Sequence, residues 1–196
     1  MARYLVCITG ASGSIYPLRL IAALAAKGVI VHTVCSPWGA RVVLEETGRP
    51  IGYWLGKVRA SGGPSNRPAI ITYHSSDDFS APVASGSFRL DGTVIAPCSM
   101  GTVGSLASGA TANLIHRAGA VALKESWPLI VVPRETPLSL IHIRSLQTLK
   151  EAGAIILPAA PSFYSKPQTI EQLVDSVVYR IMDHLGVHNI HAYRWS

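Results

Sequence analysis

Arg134 and Glu135 stand side by side in PRETP (133–137), a cation next to an acid between two prolines. A stiff loop presenting both groups suits anion binding and proton transfer. A surface ion pair is the plainer alternative. Two other loops carry glycines and hydroxyls. GASGS (10–14) holds Gly10, Ala11 and Ser12, and PCSMGT (97–102) holds Ser99, Met100, Gly101 and Thr102. Each lies between an apolar run and a predicted helix, where unpaired N–H groups and the positive end of the helix dipole attract an anion. An ordinary tight turn with a serine cap would look similar. No lysine of a nucleoside-triphosphate loop follows the glycines, and the third glycine of a dinucleotide fingerprint is missing. One phosphate, as in a flavin mononucleotide, suits such short cradles.

More cationic groups lie elsewhere. Arg117 and Lys124 are seven residues apart and share one face of a predicted helix. Tyr164 and Lys166 sit in PSFYSKP, and Arg180 stands at the edge of an apolar helical stripe, where it could enter a cleft or only cover the core. His184, His188 and His191 have a metal-like spacing, but Gly186 is expected to interrupt the helix between them, so no metal site is expected. Cys98 has no base tied to it and reads as a buried strand-end residue.

The elements that must position these groups alternate. Apolar, β-branched runs at 4–8, 29–35, 69–73, 93–96, 129–132 and 154–157 predict short buried strands. Helices are predicted over about 15–27, 38–47, 102–108, 113–125 and 138–152. A last helix begins with Thr169 and Gln172 as a capping box and buries Leu173, Val174, Val177, Val178, Ile181, Met182 and Leu185. The Gly, Pro, Ser and Arg-rich stretch 48–68 shows no clean period and reads as irregular. This is the pattern of an α/β protein, one domain over 1–196, with a mostly parallel sheet in a three-layer Rossmann-like arrangement. The unusual loops, 9–14, 36–38, 97–102, 133–137 and 158–167, all follow strands, where such folds bind ligands.

With 196 residues and 48% hydrophobic residues the chain can bury a sizeable core. Only 14% are charged, a composition that fits an oligomer hiding much of its surface. The net charge of +6 fits an anion site. No basic run interleaved with aromatics points to nucleic acid, and no apolar run reaches the length of a membrane span. Cys7, Cys35 and Cys98 read as buried free thiols in a reducing compartment, and with no signal peptide visible a cytoplasmic protein is expected.

The blocks TGASGSIY (9–16), ASGS (84–87), PCSMGT (97–102), NLIHRAGAVALKE (113–125), VPRETPLSLIHI (132–143) and ILPAAPSFYSKPQTIEQLVD (156–175) give the chain a close resemblance to the UbiX/Pad family of flavin prenyltransferases. The resemblance spans nearly the whole chain and is weakest at 48–78. It implies a flavodoxin-like fold, a homododecamer, and transfer of a dimethylallyl group from dimethylallyl phosphate or pyrophosphate to N5 and C6 of reduced FMN. The prenylated FMN would pass to a UbiD-type decarboxylase. By position, Gly10, Ala11, Ser12, Ser36, Ser99, Met100, Gly101, Thr102 and Arg134 would contact FMN. Arg117, Lys124, Tyr164 and Arg180 would hold the prenyl phosphate. Glu46, Glu135 and Ser12 match groups near the reacting atoms, and Trp195 matches a tail tryptophan that closes over a site.

Four positions depart from the pattern. Phe79 stands where many members have Trp, which keeps an aromatic face of weaker quadrupole near the prenyl group. Pro17 replaces a common Gly and is expected to begin a helix. Ser126 and Trp127 replace a frequent Arg pair. Two other functions remain open: a flavin-dependent cysteine decarboxylase, for which GATANLI (109–115) is the sequence cue, and a non-catalytic FMN-binding subunit of a decarboxylase. The first has no need of a second set of phosphate-binding cations, and the second needs neither that set nor Glu135.

Overall fold

The computed structural model describes residues 1–63 and 68–189. Trp195 and His191 lie outside the described residues. Six strands, β1 (Arg3–Ile8), β2 (Ile30–Cys35), β3 (Ile71–Ser75), β4 (Gly92–Cys98), β5 (Leu129–Pro133) and β6 (Ile155–Ile156), form one sheet in the order β3-β2-β1-β4-β5-β6. Every pairing is parallel: Val6 lies beside Thr33 on one side and Val94 on the other, and Val94 beside Ile130. Order reverses at β1, so the crevice between the carboxyl ends of β1 and β4 is the topological switch point.

Strand side chains alternate between two helical layers. Val6, Ile8, Val94 and Ile130 pack with α1 (Ile15–Ala25) and α7 (Ile170–His184), through Leu20, Ile21, Leu24, Val174, Val177 and Val178. Leu5, Cys7, Ile95 and Val131 pack with α4 (Met100–Ala107), α5 (Leu114–Lys124) and α6 (Leu140–Glu151), through Val103, Leu106, Leu114, Ala118 and Leu149. All three cysteines are buried and free. Burial pushes the Cys35 thiol up to about 12, and burial with neighbouring thiols raises Cys7 too. Cys98 is raised by burial alone. None of them is an activated nucleophile.

The stretch expected to be irregular contains a helix. α2 (Pro37–Thr47) ends at Gly48, whose φ of 68° only glycine adopts easily, and α3 (Ile51–Ser61) starts at once after Pro50. Ile51, Trp54, Leu55 and Val58 do have helical spacing, but Gly52 and Gly56 between them mask it. Tertiary contact repays the weak propensity: Leu55 is buried, and Trp54 Nε1 donates to Thr47 Oγ1 at 2.9 Å.

Two other details differ from expectation. Pro17 does not begin α1 but stands third in it, still within the turn whose N–H groups lack intrahelical partners. At α7 the capping box is half made. Thr169 Oγ1 accepts from Gln172 N–H, but the Gln172 side chain accepts from Gln168 N–H. The full reciprocal box forms at α6, between Ser139 and His142. α7 ends at His184, and Gly186 follows with φ 69°. No helix among the described residues is long and apolar enough to cross a membrane.

Candidate active site

Loops from β1, β2, β4 and β5 meet at the switch point. Thr9 is the hinge between two of them: its Oγ1 donates to Pro97 O at 2.8 Å and accepts from Ser99 N–H at 2.8 Å. This locks GASGS to PCSMGT. Ser99 caps α4, accepting from Thr102 N–H, and its hydroxyl lies 3.1 Å from that of Thr102. Ser36 caps α2 by accepting from Gly39 N–H at 3.0 Å. The β1 and β2 loops touch: a Cβ on Gly10 would stand 2.7 Å from Trp38 Cβ, so only glycine fits.

The opening loop already holds an anion, and it belongs to the chain itself. Glu46, near the end of α2, accepts from Gly13 N–H at 2.9 Å, from Ser14 N–H at 2.8 Å and from the Ser14 hydroxyl at 2.7 Å. Partial burial pushes its carboxyl up, but the Ser12 and Ser14 hydroxyls and the two N–H donors outweigh that and hold it below the usual range. Ser14 does not cap α1 with its own side chain. A carboxylate 32 residues away performs that task. The Gly13 and Ser14 donors are thus met from within the chain, by Glu46.

The β5 loop differs. Arg134 lies over Gly13, whose added Cβ would be 3.5 Å from Arg134 Cδ, and beside Tyr16. Burial raises the Tyr16 phenol and the nearby guanidinium opposes that. Arg134 Nε is buried with no partner among the described residues. A buried donor left unpaired is costly, so this group invites an anionic or accepting ligand. With the Ser36, Ser99 and Thr102 hydroxyls at two helix N-termini, the donor set fits a ligand with one phosphate and a polar ring system. Glu135 is exposed, and its Oε1 accepts from Thr136 N–H at 3.0 Å.

The four further phosphate candidates separate into two pairs. Arg117 and Lys124 do share a face of α5, and both turn to the segment 84–86: Arg117 Nε donates to Ala84 O at 3.0 Å, and Lys124 pairs with Glu125 beside Gly86. Arg180 is on α7, in the opposite layer, where it pairs with Asp183 at 3.2 Å and lines a cleft of about 430 Å³ with Leu157, Pro158 and Ser162. Tyr164, 72% exposed, lies in the loop leading into α7. One chain does not bring the four together. Phe79 is exposed in the β3–β4 connection. Thr9, Tyr16, Gly86 and Glu125 are the contributors that spacing missed. All four lie inside the quoted TGASGSIY, ASGS and NLIHRAGAVALKE blocks, but only packing reveals their use.

A family model described as Flavoprotein matches residues 1–182. The chain is 41% identical over 198 residues to the flavin prenyltransferase UbiX of Halalkalibacterium halodurans, covering 98% of this chain and 93% of that one. It is similar to the solved structure of AnUbiX (PadA1) in complex with FMN and dimethylallyl pyrophosphate, with a TM-score of 0.89 and 37% identity over 100% of this chain and 97% of that one. It is also similar to a dodecameric FMN-dependent Ubix-like decarboxylase from Escherichia coli, with a TM-score of 0.87 and 34% identity over 99% of both chains.

Proposed function

The chain belongs to the UbiX flavin prenyltransferase family, and from that premise we propose that it joins the dimethylallyl group of dimethylallyl phosphate, or of the pyrophosphate, to reduced FMN. The observation that carries this reading is two separate sets of cations. Arg134 serves the crevice at β1 and β4, while Arg117, Lys124 and Arg180 lie away from it. An FMN-dependent decarboxylase of cysteinyl substrates or an FMN carrier would use the first set and have no need of the second.

FMN would be held by Gly10, Ala11, Ser12, Ser36, Ser99, Met100, Gly101, Thr102 and Arg134. When bound and reduced it supplies the nucleophilic N5 and C6 positions. The chain's own groups do the rest. Arg117, Lys124, Tyr164 and Arg180 hold the allylic phosphate and stabilise the charge that develops as it leaves, without metal. Phe79, and Trp195 beyond the described residues, offer aromatic faces to the cationic allyl fragment. Glu135 receives the proton displaced at ring closure, and Glu46, kept in its charged form by the Ser12 and Ser14 hydroxyls, offers a fixed negative charge to the allyl cation.

Since the two phosphate-binding pairs sit on opposite layers, different copies of the chain supply them to one site. Leu140, Ile141 and Ile143, with Ile141 74% exposed, leave an apolar face on α6 that such an assembly covers, in keeping with a homododecamer. The product, prenylated FMN, passes to a UbiD-type decarboxylase, and the buried free thiols suit a cytoplasmic site of action. The test is to add dimethylallyl phosphate and reductant to the FMN-loaded protein. A new flavin heavier by the five-carbon unit is expected. Unchanged FMN with every prenyl donor would sink the reading.

A further inference from the structure

The β3–β4 connection follows α5 from end to end. At the start of the helix Leu114 N–H donates to Ser76 O at 2.7 Å. One turn later Arg117 Nε donates to Ala84 O at 3.0 Å. At the last turn the Lys124–Glu125 pair lies against Gly86, where an added Cβ would stand 2.9 Å from Lys124 Nζ and overlap the Glu125 carboxylate. The turn is braced from within: Ser87 N–H donates to Ser85 Oγ at 3.2 Å, and the two hydroxyls are 2.9 Å apart. Gly86 does not have a positive φ. Its backbone could be that of any residue, so what the position requires is the missing side chain.

We propose that Gly86 and Glu125 are positioning residues for Lys124: the bare Cα of Gly86 forms the recess in which the ammonium sits, and Glu125 tethers it there, aimed for the leaving phosphate. The proposal rests on the reading of Lys124 as a prenyl-phosphate ligand. A methyl group at Gly86 meets the tips of two flexible side chains, not backbone. Tips give way at little cost to the fold, but they then leave the place where they were held.

Binding tests this without turnover. Dimethylallyl phosphate is titrated calorimetrically into protein loaded with oxidised FMN, for the wild type, Gly86→Ala, Lys124→Ala and the double variant. Gly86→Ala should weaken binding by about five- to tenfold, part of what a charged hydrogen bond contributes, with Tm and FMN affinity unchanged. In the Lys124→Ala background the same change should do nothing further. Wild-type affinity in Gly86→Ala overturns the proposal. So does an equal loss without Lys124, or a fall in Tm or FMN loading in Gly86→Ala. Wild-type affinity in Lys124→Ala would instead remove Lys124 from the phosphate site, and this proposal with it.

Discussion

The loops after β1 and β5 face each other across the crevice, and they are finished to different degrees. In the β1 loop the donors of Gly13 and Ser14 are met by Glu46, and Thr9 ties the loop to Ser99. In the β5 loop Arg134 keeps a buried Nε with no partner among the described residues, and Glu135 stands in solvent. A satisfied loop is a platform whose shape exists before any ligand arrives. An unsatisfied one gains its last contacts from the ligand, so chemistry and binding energy belong there. Substitutions in the β5 loop should therefore change function at constant stability, and those at Glu46 should also change stability.

The largest effect is expected for Glu135→Gln. Formation of the prenylated product should fall by about 10²–10⁴-fold, the usual worth of a positioned proton-transfer group, with Tm and FMN affinity near wild type. Single-turnover product analysis gives the rate. Normal turnover would dissolve the contrast between the two loops at its chemical end.

Arg134→Ala comes next. Loss of a charged hydrogen bond in a partly dry site should weaken FMN binding by about ten- to a hundredfold. Folding should not suffer, because an unpaired buried donor leaves with the side chain. Flavin fluorescence titration and a thermal melt of the apoprotein test both halves, and a lower Tm would show that Arg134 belongs to the platform.

The smallest effect is pH-linked. The Glu46 carboxyl is held low by the folded state, against its own partial burial. A depressed carboxyl stabilises the fold above its unfolded pKa, and that contribution is lost as pH falls through the folded value. Glu46→Gln should thus lower Tm by about 1–3 °C at neutral pH, a typical loss for a helix cap, with the gap closing in acid. A gap that widened on acidification would mean that the carboxylate does not stabilise the α1 N-terminus.

Composition, periodicity and residue type carried much of this protein by themselves. Six apolar runs and the helices between them specify the alternating α/β order, because buried parallel strands need continuous apolar sequence and each crossover needs a helix. The stripe from Val174 to Leu185 follows from local chemistry, and so does PRETP as a loop at a strand end. α3 escaped because Gly52 and Gly56 lower helix propensity, and only the packing of Leu55 and the Trp54–Thr47 hydrogen bond compensate. Tertiary structure alone decided which partner each polar group takes. Glu46 reaches Ser14 across 32 positions, Thr9 reaches Ser99 across 90, and Arg117 reaches Ala84 across 33. It also placed Arg117 and Arg180 in opposite layers, through the alternation of side chains across the sheet and the helices each face recruits. Hydrogen bonds and ion pairs act over a few ångströms in space, and that proximity arises only when the chain has closed on itself.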